Sequence, residues 1–190
     1  FALLFAFFVL GTAATKLGYA RKAAAGIAQE KGGRRGPGNA LSKTSIPALA
    51  AVFAATTGYP ELFALALAGA FATAAFDTVS SEVGKAYGRR TYLITTLRSV
   101  PRGTDGAVSL EGTLSGMAAA ILLGGLGATL GLYPAAGIAA VVVAAFIATT
   151  LESVVGATLE KRGLLDNEAV NFLNSLAGAL LAAAGGALLL

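Results

Sequence analysis

Two acidic residues, Asp77 and Glu152, each lie at the end of a long apolar run. Asp77 follows Pro60 by 17 residues, and Glu152 follows Pro134 by 18. At about 1.5 Å per helical residue, both acids would lie roughly 26 Å from those prolines, just inside the far boundary of a ~30 Å membrane core. A charged side chain at that depth is unfavourable unless it is paired, hydrated or bound to a metal ion. We therefore predict that both acids are functional residues.

The neighbours of both acids are small or carry hydroxyl groups, which would give each helix an oxygen-rich face. The first face holds Thr73, Ser80, Ser81 and Gly84 beside Asp77, and the second holds Thr149, Ser153, Gly156 and Glu160 beside Glu152. Because the chain contains no His and no Cys, a metal ion would need oxygen ligands, which favours Mg²⁺. The alternative is that the acids extend from helix ends towards water and the small residues form a packing seam.

Composition indicates which elements must position these residues. The chain has 190 residues, of which 56% are hydrophobic and 13% are charged, and its mean hydropathy is +0.74. Apolar runs of membrane-spanning length recur, which predicts an all-α, polytopic transmembrane helical bundle, with residues 1–190 forming a single integral membrane domain. The absence of Cys and His excludes disulfides, thiolate or imidazole catalysis and the usual zinc sites.

Six apolar runs predict six spans. They cover residues 1–14, 44–57, 62–76, 114–130, 135–151 and 170–190. All 14 Lys and Arg lie in the loops between alternate spans, at about 16–43, 77–111 and 152–169, so the positive-inside rule predicts that these loops are cytoplasmic. The first run lacks Met and a basic segment before it, so we predict no signal peptide and expect the native chain to start earlier.

An internal repeat relates the two acids. Residues 44–90 and 114–162 each contain a Gly/Tyr/Pro turn, an apolar run and an acid–hydroxyl–Val triplet, D-T-V in the first copy and E-S-V in the second. Both copies run in the same direction, so a pseudo-two-fold axis along the membrane normal is expected. That symmetry would place Asp77 and Glu152 at one depth on one side of the membrane.

The basic loops combine cations with glycines and hydroxyls. The first contains Arg34 and Arg35 beside several glycines, followed by Asn39, which is expected to cap the next helix and direct its positive end towards an anion. Arg side chains and exposed backbone N–H groups suit phosphate oxygens. A flexible loop without a ligand is the alternative. The chain contains no G-x-x-x-x-G-K-[ST] sequence, so a P-loop enzyme is not expected.

Three motifs give the loop from 77 to 113 a family resemblance: D-T-x-x-S-E-x-G, L-I-T-T and V-P-x-G-T-x-G-x-V-S-x-x-G-T. They resemble the signature of the phytyl-phosphate kinase family of integral membrane proteins, and E-S-V-V-G-A-T-L-E and V-N-F-L-N are similar to its C-terminal motifs. A more distant similarity is to CTP-dependent polyprenol kinases and CDP-diacylglycerol synthases. In those families a Lys precedes S-x-E-G, whereas Val108 stands here, so we expect the cation to come from Arg98 or Arg102.

The resemblance implies Mg²⁺-dependent transfer of a phosphoryl group from CTP to an isoprenyl monophosphate of the phytyl or geranylgeranyl type. It assigns metal binding to Asp77 and Glu152, and supporting catalytic roles to Glu82 and Glu111. The nucleotide- and phosphate-binding residues it implies are Arg34, Arg35, Asn39, Ser81, Thr95, Thr96, Arg98, Arg102, Gly103, Thr104, Ser109, Gly112, Asn171 and Asn174. The prenyl chain is expected between Ala/Gly-rich helices, in contact with the lipid bilayer. We expect no nucleic-acid partner, and the sequence leaves open whether the protein forms a homo-oligomer.

Two other functions compete with this interpretation. A CTP:lipid-phosphate cytidylyltransferase would share the membrane location and the metal ion. A lipid transporter without chemistry would also fit parallel repeats and intramembrane acids, but its site is expected near the membrane midplane. The polar residues of this chain instead gather at the loop end of the predicted spans.

Overall fold

The computed structural model describes residues 1–189. Its helices and strands are α1 Ala2–Lys16, α2 Tyr19–Ala24, α3 Glu30–Gly33, α4 Pro37–Thr56, α5 Pro60–Tyr87, β1 Tyr92–Leu93, β2 Ala107–Val108, α6 Leu110–Thr129, α7 Gly137–Val155, a π-helical turn Gly156–Glu160, and α8 Asn167–Leu189. The helical class expected from composition is confirmed, with one short β-hairpin in addition.

Four helical segments of the described residues are long and apolar enough to cross a membrane. They are Pro60–Tyr87, Leu110–Thr129, Gly137–Glu160 and Asn167–Leu189. Two further helices occupy the other expected spans: α1 is apolar but only 15 residues long, and α4 has 20 residues with a polar first third.

Helix α5 is the centre of the bundle. It is 28 residues long and packs against α1, α4, α6, α7 and α8. Most of its buried residues are Ala or other small residues, which let neighbouring helices approach closely. At Gly69 an added Cβ would lie 2.6 Å from the backbone oxygen of Gly178 on α8. The predicted Thr73 is part of this contact, where it packs against Gly178.

The long loop predicted at 77–111 is partly regular structure. Helix α5 continues three turns beyond Asp77, and β1 pairs antiparallel with β2 through Tyr92 with Val108 and Leu93 with Ala107. Ser109 then caps α6, since its side chain accepts a hydrogen bond from the Gly112 N–H at 3.1 Å. Asp77 therefore belongs to the body of a helix.

The capping role expected for Asn39 is wrong. Helix α4 begins at Pro37 with Gly36 as its N-cap, which places Asn39 inside the first turn. Proline suits this first position because its fixed φ matches the helix and its missing N–H would have no helical partner there.

The opposite end of the bundle contains the two turns that precede α5 and α7. Pro60 begins α5 as expected, whereas Pro134 precedes the start of α7 at Gly137 by three residues. The side chain of Tyr133 is buried in this turn, and its hydroxyl donates to the Gly124 carbonyl at 3.0 Å. Burial raises the pKa of Tyr133 to about 12, so the hydroxyl remains a donor at neutral pH.

Candidate functional site

A polar cavity of about 270 Å³ lies between α5 and α7, at the end of these helices that faces the hairpin loop. The two helix faces predicted from the sequence both line it, except for Thr73. They contribute Asp77, Ser80, Ser81 and Gly84 from α5, and Thr149, Glu152, Ser153, Gly156 and Glu160 from α7 and its π-helical extension. The prediction that the two acids share one site is therefore consistent with the fold.

Asp77 and Glu152 both line this cavity, and each accepts a hydrogen bond from one side chain. Lys43 Nζ lies 2.6 Å from Asp77 Oδ2 and 2.9 Å from Thr78 Oγ1. Glu152 Oε2 accepts a hydrogen bond from the Asn174 side-chain amide. Among residues 1–189, the other oxygen of each carboxylate has no side-chain donor. These oxygens remain available to a ligand or a metal ion.

The ligand set fits a hard divalent cation only in part. Among residues 1–189 there is no group of three or more acidic, His or Cys side chains that could hold a metal ion. Two carboxylates with free oxygens nevertheless suit Mg²⁺, which keeps several waters and often binds through one or two carboxylates and substrate phosphates. Asp105 and Glu160 line the cavity as well, and Asp77 and Glu152 are the two of these carboxylates that the sequence predicted as metal ligands.

Glu82 also lines the cavity, but its carboxylate is already paired within a buried cluster, and its supporting catalytic role stays a prediction. Its carboxylate is paired with Lys22, and its Oε1 lies 3.2 Å from an Arg35 nitrogen. The ammonium of Lys22 also donates to the backbone oxygens of Ala14 at 3.3 Å and Thr15 at 2.8 Å. The cluster joins α1, α2 and the segment before α4 to α5, and its acid is already neutralised.

The predicted phosphate-binding residues divide into two groups. Those that line the cavity are Arg35, Asn39, Ser81, Gly103, Thr104, Ser109, Gly112 and Asn171. Those that do not are Arg34, Thr95, Thr96, Arg98, Arg102 and Asn174, together with the predicted catalytic residue Glu111. The first group comes from α4 and the segment before it, α5, α6, α8 and the hairpin loop.

The residues outside the cavity have other surroundings. Arg34, Thr95, Thr96 and Arg98 are exposed. Arg102 donates to the Ala86 carbonyl at 3.3 Å, and Glu111 accepts from the Arg89 backbone N–H at 3.3 Å. The buried Asn174 supports Glu152 from behind, while Asn171 donates to the Asn167 side-chain oxygen at 2.9 Å.

Lys43 and Lys85 line the cavity although neither was predicted from the sequence, and Lys43 is the more deeply buried. Its side chain is 3% exposed, and it is one of three cations that line the cavity, with Arg35 and the half-buried Lys85. Arg98 and Arg102, from which this cation was expected, do not line the cavity. A signal was present: Lys43 follows Asn39 by four residues, so both lie on one face once α4 starts at Pro37.

The hairpin loop packs directly on α7. An added Cβ at Gly106, whose φ is +71°, would lie 2.5 Å from the Ser153 carbonyl oxygen and from the Ala157 Cβ. The contact falls where α7 becomes a π-helical turn, a feature often found at functional sites. The loop thus covers the cavity from the side opposite the membrane-spanning segments.

One hydroxyl in the wall lacks a partner. Thr149 lines the cavity and is buried, and its Oγ1 makes no hydrogen bond within residues 1–189. A buried polar atom without a partner is unfavourable by about 1–3 kcal/mol. Such an atom beside two incompletely satisfied carboxylates indicates a site for a polar ligand.

Comparison with known proteins identifies relatives of this chain by their sequence. The family described as integral membrane protein DUF92 matches residues 1–179. The uncharacterized membrane protein sll0875 of Synechocystis is 48% identical over 185 residues, which cover 96% of this chain and 72% of that protein. Protein VTE6, chloroplastic, of Arabidopsis thaliana is 42% identical over 189 residues, 96% of this chain and 57% of VTE6.

An archaeal relative is more distant. The uncharacterized membrane protein MJ0933 of Methanocaldococcus jannaschii is 36% identical over 186 residues, 94% of this chain and 73% of that protein. No solved structure matches the chain. The family resemblance read from the sequence motifs is confirmed by these relatives.

Proposed function

This chain belongs to the integral membrane protein family DUF92, and from that premise we propose that it is a prenyl-phosphate kinase. It transfers the γ-phosphoryl group of CTP to an isoprenyl monophosphate of the phytyl or geranylgeranyl type and gives the diphosphate and CDP. The observation that carries the proposal is the meeting of Asp77 and Glu152 with the cations Arg35, Lys43 and Lys85 in one cavity.

The reaction needs little general acid or general base catalysis from the protein. An oxygen of the prenyl monophosphate attacks the γ-phosphorus, a new P–O bond forms, and the bond to the β,γ-bridging oxygen breaks as CDP leaves. The attacking oxygen is already anionic, so a chain without His or Cys is sufficient. The main task is to hold two polyanions in line and to offset their repulsion.

The cavity residues have complementary roles in this proposal. Lys43 and Arg35 bind phosphate oxygens, and the hairpin-loop residues Gly103 and Thr104 contact the nucleotide phosphates. Asp77 and Glu152 would hold Mg²⁺, which when bound neutralises charge on the transferred group and its neighbours. Lys43 takes the place of the Lys that the related motif carries where Val108 stands here.

The proposed function is accompanied by a proposed membrane topology. We propose six spans, with α1 and α4 crossing the membrane beside the four longer helices, and a parallel repeat that relates α5 to α7. The loops that carry the basic residues then lie on the cytoplasmic side, where CTP is present. Support comes from the two acids, which lie at similar distances from their turns and line one cavity.

The direct test uses purified protein in detergent with Mg²⁺, radiolabelled CTP and geranylgeranyl or phytyl monophosphate. We expect labelled phosphate in the prenyl diphosphate when the γ-position carries the label, together with free CDP. Release of pyrophosphate and a cytidylylated lipid would instead identify a cytidylyltransferase. If no product forms with any nucleotide or chain length, the proposal is wrong, and lipid transport without chemistry becomes the better hypothesis.

A further inference from the structure

Helices α6 and α7 are in contact at one end and separated at the other. Near the turn that contains Tyr133, an added Cβ at Gly124 would lie 3.4 Å from Val141 Cγ1, which is an ordinary contact distance. Nearer the cavity, the ring of Phe76 from α5 lies between them. It packs on Gly116 of α6, where an added Cβ would be 2.6 Å from the ring, and on Phe146 of α7, with ring centroids 6.2 Å apart.

The gap continues above this aromatic pair up to the hairpin loop. Its upper edge is the contact between Gly106 and the Ser153 carbonyl. Between the two edges, the residues that line the cavity are Thr113 on α6 and Thr150 on α7, both half-buried. We call the opening bounded by Thr113, Phe146 and Thr150 the lateral window.

The lateral window opens on an apolar part of the outer surface of the bundle. Phe146 lines the polar cavity and is nevertheless 41% exposed, so the cavity reaches the outer surface of the bundle at this residue. The neighbouring side chains on the same two helices, Leu114 and Leu151, are exposed and apolar. Phe146 lies six residues before Glu152, which places it about 9 Å deeper in the membrane.

The cavity is too small to contain a whole lipid substrate. Its volume of about 270 Å³ is just below the ~300–1,000 Å³ typical of sites that bury a drug-sized ligand. The polar groups around Asp77 already match phosphate and metal in that space. A hydrocarbon chain attached to the phosphate must therefore leave the cavity, and the lateral window is the apolar exit that adjoins the acids.

We propose that the hydrocarbon chain of a lipid monophosphate passes through the lateral window into the bilayer, while its phosphate lies between Lys43 and the acids. This inference rests on the proposed function, which it extends by placing the acceptor. The first carbons of the chain contact Thr113, Thr150 and the ring of Phe146. The rest of a long chain lies in lipid, so the protein distinguishes little among chains that pass beyond the window, whereas a C5 chain ends at it.

A fluorescence experiment tests the window independently of turnover. The chain contains no Trp, so Thr150→Trp introduces a single indole at the window, and Leu151→Trp places one at the next position, outside the cavity. Each variant is titrated in nanodiscs with a geranylgeranyl-type monophosphate that carries bromines on its first isoprene unit. For Thr150→Trp we expect saturable quenching of at least about half the signal, reversed by unlabelled monophosphate.

The control variant should behave differently. For Leu151→Trp we expect quenching that grows in proportion to the brominated lipid and is not reversed by competition. Proportional, non-competable quenching in both variants would overturn the inference, as would saturable quenching of equal size in both. Both variants must elute as single symmetrical peaks; if Thr150→Trp does not, Thr113→Trp replaces it, with Leu114→Trp as the matched control.

A kinetic experiment separates this inference from the proposed function. The ratio of kcat/KM for a C20 acceptor to that for a C5 acceptor should fall at least about 10-fold in Thr150→Trp and less than about 2-fold in Leu151→Trp. An unchanged ratio in an active Thr150→Trp protein would overturn the window and leave the kinase intact. Saturable quenching in a protein with no turnover would contradict the proposed kinase activity and would support the window as part of a lipid-phosphate binding site.

Discussion

Two buried ionic regions of this protein lie side by side on α5 and differ in how completely their charges are satisfied. Glu82 is enclosed by Lys22 and Arg35, and the side chains of Glu82 and Lys22 are 2% and 0% exposed. Asp77 pairs with one ammonium group and keeps 21% of its side chain exposed to the cavity, next to a second acid, Glu152. An intramembrane acid therefore marks a site only when its own neighbours leave it incompletely paired.

The largest effect is expected at the incompletely paired region. Asp77→Asn keeps the shape of the side chain and removes the charge that would hold Mg²⁺. Loss of one preorganised electrostatic group lowers kcat by about 10²–10³-fold, so we expect turnover near or below detection in the CTP assay. The variant should still elute as a folded protein, although some loss of stability is expected because the buried Lys43 loses its anion. Retention of more than a tenth of the parent kcat would show that Asp77 is not a metal ligand.

The cation of the same region should give the next largest effect. Lys43→Met keeps the length of the side chain and removes its charge, so the affinity for phosphate should fall, and we expect kcat/KM for the prenyl monophosphate to drop roughly 10²-fold. Lys43→Arg is the matched control, because it keeps a cation beside Asp77 and should recover part of the loss. If both variants were equally impaired, the shape of the ammonium group rather than its charge would be decisive.

A substitution in the completely paired region should lower the stability of the fold. Glu82→Gln leaves Lys22 and Arg35 without their anion, and breaking a buried pair in this way is destabilising by about 3–5 kcal/mol. For a chain of this size that corresponds to a fall of roughly 6–20 °C in the apparent unfolding temperature, measured by circular dichroism. Glu111→Gln, which removes an acid outside the cavity, is the control and should shift the transition by less than about 2 °C. Equal shifts would contradict the comparison.

The smallest effect is expected at an exposed cation. Arg98 lies in the hairpin loop outside the cavity and is exposed, so its influence on the acids is largely screened by salt. Arg98→Ala should change kcat/KM for CTP by less than about 2-fold. A fall of 10-fold or more would mean that the loop brings Arg98 onto the nucleotide, and that the contrast between lining and exposed cations fails.

Helical periodicity in the sequence predicted much of the lining of the cavity. The alternation of small, hydroxyl and acidic residues at helical spacing was enough to place Asp77 with Ser80, Ser81 and Gly84, and Glu152 with Thr149 and Gly156, on faces that now line one cavity. It did not anticipate the partners of Glu82, five residues after Asp77. Five helical residues rotate a side chain by about 140°, so Glu82 lies on a different face of α5 from Asp77 and pairs with Lys22 of α2.

Composition and spacing by themselves determined that the chain is a helical membrane protein, that two acids recur after similar turns, and that the cations gather at one end. These properties depend on neighbours within about one helical turn or on the run of apolar residues. Only the tertiary structure decided which cation meets which acid. Lys43 reaches Asp77 from α4, and Lys22 reaches Glu82 from α2. Such pairs depend on how separate helices cross, because a long side chain can satisfy any acid that packing brings within its reach.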